Sequence, residues 1–421
     1  MTATASKGDT VAWSHGTAEP RVLTARLVEG RRAPRDLRIF CGVPFTDTIE
    51  RAVAGHPSWR FVGISPFGGL RHAARAGRLE VLPIRWSDLP RLVRAGPLRI
   101  DTLLLNVAPC EGNRYSFGAA GDYGSLMMEG ARTVIVQVNR SMPRTLGPAL
   151  IDRCWFEGRV TETIEADAPL IEIDQGRHGD GEAEVARHIA SLVRDGDVLE
   201  VGIGSMGEAV WHALGGRRDL GVHTGMLTDA VVDLTEAGVV TNRRKEIDEG
   251  RTVGGVLFGT RRLYRFADRN AHLAVHPIEH THDAGIIATL SNFVAINFSL
   301  QVDLTGQVNS ESLNGRLVGA IGGVLDFAEG ARRSRGGRTI FALRARTRDG
   351  RPTIVPQLDR GVVTVPRSMV DHVVTEYGIA TLTGVGLEER AALLVAIAHP
   401  DDRKALAQAF DRTDPAQGGT V

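Results

Sequence analysis

The chain has 421 residues, 43% of them hydrophobic, which exceeds what one hydrophobic core ordinarily organises and points to two globular domains. Its 50 basic and 50 acidic residues cancel, so no global field draws it to nucleic acid or an anionic membrane. Neither partner is expected.

The N-terminal "MTATASKGDTVAWSHG" lacks the apolar core of a signal peptide, and no run of about 18 apolar residues occurs. The three cysteines, Cys41, Cys110 and Cys154, are widely spaced and make no C-x-x-C pair, as expected of free thiols in a reducing, cytoplasmic setting. "DTLLLNVAP", "ARTVIVQVN" and "GRTIFAL" read as short strands, separated by amphipathic helical patterns. This is the form of βαβ units around a mainly parallel sheet, an α/β fold.

An internal echo sets the organisation. "GDTVAWSHGTAEPRVLTARL" from Gly8 and "GDVLEVGIGSMGEAVWHAL" from Gly196 share Gly-Asp, an apolar strand, a glycine turn (Gly16, Gly204) and a helix. Two related α/β halves follow, 1–180 and 181–421, joined near the polar "DQGRHGDGEAE" of Asp174 to Glu184.

Three stretches carry chemistry. "VGIGSMGEAV" places Gly202, Gly204 and Ser205 at a strand-turn-helix junction, where backbone amides can hold an anion or a developing oxyanion. A structural turn gives the same pattern. "GRLVGAIGGVLDFAEGARRSRGG" offers a second such turn at Gly319, Gly322 and Gly323, followed by Arg332, Arg333 and Arg335, whose guanidinium forks suit nucleotide-like phosphates. "LGVHTGMLTDAVVD" reads as a strand, a turn at Gly225 and a helix capped by Thr228 and closed by Gly238, with Asp229 favouring the helix's positive end.

Together with "GDYGSLMMEGARTVIVQVNRSMPRTLG", "FGTRRLYRFADRN", "NFVAINFSLQVDLTGQVNSES" and "VDHVVTEYGIATL", these blocks resemble the acetyl-CoA hydrolase/transferase family, the branch of class I CoA-transferases that includes 4-hydroxybutyrate and butyryl-CoA transferases. The resemblance implies two open α/β domains with mainly parallel sheets facing a shared cleft, an acyl-CoA in that cleft, and a homo-oligomer. It also implies a catalytic glutamate that attacks the thioester and becomes a glutamyl-CoA thioester. In the family's pattern that glutamate follows His-Ser or His-Thr; here the residue after His223-Thr224 is Gly225.

Other polar positions depart with it. Relatives show Pro-Asp-Glu-His-Gly where this chain has "PCEGN", and glutamine where it has Val324. Glu111 is a candidate replacement carboxylate or an orienting group. Cys110 is a candidate acyl acceptor, against the alternative of an inert small side chain. His223 is a candidate general base, against that of a hydrogen-bonded structural histidine. "HPIEHTHD", His276 to Asp283, resembles a metal cluster but lacks a separated partner pair, and relatives carry a similar stretch without metal. No metal site is expected.

The expected function is therefore an acyl-CoA-dependent transferase or hydrolase, in a biosynthetic role, that passes the acyl group directly to an acceptor. The alternatives are a non-catalytic acyl-CoA-binding partner and a CoA-transferase with a relocated carboxylate.

Overall fold

The computed structural model describes residues 6–30, 34–176, 178–358 and 361–413. Residues 1–5 of the N-terminal stretch and Arg177 of the expected junction lie outside them. The chain forms two compact units. The first is Met1–Asp174 with Val222–Asp233 and Asp248–Ile286; the second is Gln175–Gly221, Leu234–Ile247 and Ile287–Val421. The division is thus not a single cut near position 180, because two segments from beyond it return to the first unit.

The first unit is built on a nine-stranded sheet. Seven strands are parallel, in the order Leu79–Val81, Arg60–Gly63, Arg38–Phe40, Thr10–Trp13, Thr102–Glu111, Thr133–Asn139 and Glu162–Ala166. The sequence explains the arrangement: "TLLLNVA" and "TVIVQVN" are buried along nearly their whole length, as strands covered on both faces must be. The order reverses between Thr10–Trp13 and Thr102–Glu111. In open α/β sheets the carboxyl ends of the strands flanking such a reversal form a natural crevice. His15 follows the first of these strands and Cys110 and Glu111 end the second.

In the second unit Val198–Val201, Phe293–Phe298, Arg338–Ala342 and His372–Thr375 are parallel neighbours, and Gly378–Thr381 adds an antiparallel edge. The fold class is α/β with mainly parallel sheets. The echo between the halves is visible locally. Gly8 and Gly196 both have positive φ before a strand, and Gly16 and Gly204 both have positive φ after one.

Close packing at the Gly202–Gly204 turn depends on glycine. The helix Ser205–Ala213 rests on the turn so closely that a Cβ on Gly207 would lie 2.1 Å from the Gly202 carbonyl oxygen. Exchanging Gly for Ala inside a helix normally gains about 1 kcal/mol. Here the obstacle is backbone, so Gly207→Ala is expected to destabilise the protein by roughly 2 kcal/mol or more, seen as a lowered thermal midpoint. An unchanged or raised midpoint would contradict this packing.

Candidate active site

The turn around Gly225 is fixed from the backbone outward. Met226–Leu227 pairs in parallel with Val256–Leu257, and the Gly225 carbonyl accepts hydrogen bonds from the amides of Gly255 and Val256, both 3.0 Å. The helix follows as Asp229–Glu236, with Gly238 at φ +73° after it. Its expected cap differs: the Thr228 hydroxyl is buried without a hydrogen-bond partner among the described residues. Asp229 caps the next helix instead of its own, since its carboxylate accepts from Thr260 N, Thr260 Oγ1 and Leu263 N at the start of Arg261–Ala267.

Gly255, whose amide bonds the Gly225 carbonyl, lies against a buried polar pair that the sequence did not reveal. A Cβ on Gly255 would meet the Gly225 carbonyl oxygen at 3.1 Å, Asp122 Cβ at 3.3 Å and Thr281 Oγ1 at 3.7 Å. Asp122 Oδ2 accepts from His15 Nδ1 at 2.6 Å, with the two side chains only 2% and 4% exposed. This bond places the proton on Nδ1. The other ring nitrogen, Nε2, has no hydrogen-bond partner among the described residues, and a Cβ on Gly42 would come within 2.5 Å of it. Tyr123 stacks on the His15 ring, and Trp86 packs against both His15 and Tyr123. His15 and Asp122 therefore form a walled positioning pair. The one sequence signal was the "WSHG" turn, which matches the glycine turn of the other half but carries a histidine.

His282 belongs to the same interior. Thr281 Oγ1 lies 2.8 Å from its Nδ1, and burial, with a smaller effect of nearby His15, pushes its pKa down to about 3. It is neutral at physiological pH. His223 is fully buried, and its Nε2 donates to the Thr281 carbonyl at 3.1 Å. A base must reach the proton it removes. His223 meets that condition only for a proton brought into this interior, and its Nε2 is already engaged by a backbone carbonyl.

Glu111 lies in a different setting. It lines a cavity of about 650 Å³ together with Arg140, Arg144, Arg261, Arg265 and Arg269. Its carboxylate is held by Arg269 and also pairs with Arg144 at 3.5 Å, and the hydrogen bond from Arg269 lowers its pKa below the usual range. Cys110 does not line this cavity, whereas Pro109 and Glu111 do. The pairing of this strand with Arg114–Ser116 shifts register between Ala108 and Glu111, and this irregularity leaves Ala108, Pro109 and Glu111 on the cavity and Cys110 off it. The structure thus separates Cys110 from the carboxylate beside it in sequence.

The glycine sites of the second unit are more occupied than expected. The Gly202 amide donates to the Ile296 carbonyl and the Gly204 amide to Gln175 Oε1, both 2.9 Å, so neither is a spare oxyanion donor. Ser205 Oγ donates to Glu182. Gly319 passes so near Ser310 that a Cβ would sit 2.1 Å from its carbonyl oxygen, and Gly322 has φ +50°. Gly323 starts the helix Val324–Arg333, whose last turn holds Arg332. Nine residues of helix put that arginine about 13 Å along the axis from the glycine turn. Arg332 pairs with Asp371 at 3.4 Å, so glycines and arginine do not form one phosphate cradle.

Comparison with known proteins fits this architecture. Residues 259–410 match the acetyl-CoA hydrolase/transferase C-terminal domain. Over 405 residues the chain is 35% identical to the 4-hydroxybutyrate coenzyme A transferase of Clostridium kluyveri, covering 96% of this chain and 94% of that protein. The chain belongs to the acetyl-CoA hydrolase/transferase family. A family member from Anaerostipes caccae, butyryl-CoA:acetate CoA-transferase, is 33% identical, with 95% of this chain and 92% of that one covered. The crystal structure of RipA from Yersinia pestis superposes with a TM-score of 0.88 at 33% identity, over 97% of this chain and 95% of that one.

Proposed function

We propose that this family member is an acyl-CoA-dependent acyltransferase or hydrolase that moves the acyl group straight from the thioester to its acceptor. No glutamyl-CoA intermediate forms. The reading is carried by Gly225, a residue without a side chain where the family resemblance calls for the nucleophilic glutamate.

Two features support it. The backbone at Gly225 is held by two amide hydrogen bonds, so the turn persists without the carboxylate. Glu111, one of the carboxylates at the cavity, is engaged by two arginines that hold it ionised and weaken it as a nucleophile. In the direct route an acceptor hydroxyl, amine or water adds to the thioester carbonyl carbon, the C–S bond breaks, and the acceptor's proton leaves with the CoA thiolate. Positioning and hydrogen bonding to the developing oxyanion supply the acceleration. The arginine-lined cavity suits the phosphates of CoA. The acceptor is taken to be a biosynthetic intermediate, and the working form a homo-oligomer in the cytoplasm.

A second reading rests on the position of Glu111 at the cavity wall: it would relay CoA in place of the missing glutamate. Incubation with short acyl-CoAs, borohydride reduction and peptide mass spectrometry separate the two. Direct transfer predicts turnover with no reduced glutamyl adduct at any position, and turnover surviving Glu111→Gln. A trapped adduct at Glu111 that disappears in that variant would replace the direct route by relay. Failure to bind CoA or any acyl-CoA at millimolar concentration would remove both.

A further inference from the structure

"HPIEHTHD" has no zinc-type partner pair within its own stretch, but the fold supplies partners from elsewhere in the chain. Donor atoms of His223, Asp248 and His280 all lie within 4.8 Å of one another. His223 precedes the Gly225 turn, Asp248 lies 25 residues later, and His280 sits on the short helix Ile278–Thr281; all three belong to the first unit. We propose that His223, Asp248 and His280 form a binding site for a divalent transition-metal ion of the zinc type.

Three observations support the assignment. The first is donor chemistry: two imidazoles and one carboxylate are borderline ligands that suit zinc, cobalt and ferrous ions over calcium or magnesium. The second is the tautomer of His223. A backbone carbonyl can only accept, so the 3.1 Å contact with Thr281 O places the ring proton on Nε2 and the lone pair on Nδ1. A ligating histidine commonly has this arrangement, its non-ligating nitrogen donating to a backbone carbonyl. The third is local order. Asp248 Oδ2 already lies 2.7 Å from His280 Nε2, and Oδ1 lies 3.6 Å from His276 Nε2, with the His276 and His280 rings stacked at 3.9 Å. The side chains of Asp248 and His280 are only 14% and 24% exposed, so the group is enclosed but within reach of solvent.

The ion would replace the proton that now bridges Asp248 and His280. Ligands around tetrahedral zinc stand about 3.4 Å apart, so the Asp248–His280 edge, now 2.7 Å, would open to admit the ion. His276 would then orient the carboxylate through its second oxygen. Bound metal would tie together the segments Val222–Asp233 and Asp248–Ile286, and so the strand pairing that holds Gly225. This inference stands apart from the acyl-transfer reading and does not require it.

The test uses the full-length protein after chelator treatment, titrated with Zn²⁺ by calorimetry and with Co²⁺ by visible absorption. One equivalent of each is expected to bind, with Co²⁺ giving the intense ligand-field bands of a four- or five-coordinate nitrogen and oxygen site, and zinc raising the thermal midpoint. Asp248→Asn and His280→Gln should each lower the affinity by more than 100-fold. His276→Ala should lower it about 10- to 100-fold, as for a group outside the ligand set. Circular dichroism of each variant establishes that it is folded. If a variant does not fold, the wild-type stoichiometry and the Co²⁺ spectrum decide. Absence of stoichiometric binding by the chelator-treated wild type overturns the proposal. So does binding that persists unchanged in a folded Asp248→Asn or His280→Gln variant.

Discussion

Gly225→Glu is expected to create an activity. The variant should transfer CoA from an acyl-CoA to acetate, and borohydride should trap a reduced glutamyl adduct at residue 225, where the wild type gives none. The reasoning is geometric. Two amides fix the Gly225 carbonyl, so the backbone that would carry the new carboxylate is already set. Covalent catalysis then divides one displacement into two easier ones, and a well-oriented carboxylate gains the large effective concentration of an intramolecular nucleophile. The same side chain would fill the volume left for the acceptor, so native turnover should fall by at least about tenfold, equivalent to about 1.4 kcal/mol in the barrier. A folded variant that forms no adduct and keeps its native turnover would show that the reaction occurs away from this turn. Attention would then pass to Glu111.

The parallel core was legible because strands buried on both faces must be written as unbroken β-branched runs, and "TVIVQVN" and "RTIFA" are such runs. The helix after Gly225 was legible by its period, and its first residue falls where the pattern placed it. Its capping was misread because capping partners are set by tertiary neighbours: Asp229 found the start of another helix 31 residues on. One separation is readable from local geometry. Nine residues of helix part the Gly323 turn from Arg332. The side-chain groups were hidden for a different reason. His15 meets Asp122 across 107 residues, and His280 meets Asp248 across 32, with no spacing rule linking either pair. What local sequence displays is a backbone turn; what it cannot display is which distant side chain the sheet's connections return to that turn.

The second large effect is a dependence of stability on pH centred on Glu200. This residue lies on Val198–Val201, the strand leading into the Gly202–Gly204 turn, and is 5% exposed. Burial raises its pKa from 4.5 to about 8, while the hydrogen bond from Asn297 Nδ2 at 2.8 Å acts in the opposite direction. Glu200 is therefore mostly protonated at neutral pH in the folded protein and ionised in the unfolded chain. Between pH 4.5 and about 8 the native state binds more protons than the unfolded state, so unfolding free energy falls as pH rises. The contribution is fully present below pH 4.5 and is lost as pH passes through about 8. Its span is on the order of 5 kcal/mol. Glu200→Gln keeps the shape and an oxygen for Asn297 but carries no proton to lose. Near pH 5 the variant and wild type should melt within a degree or two of one another. At pH 9 the variant should be the more stable, by an amount on the order of a few kcal/mol in denaturant titrations. Parallel pH profiles for the two proteins would show that Glu200 is not held neutral, and that the strand entering the glycine turn carries a charge.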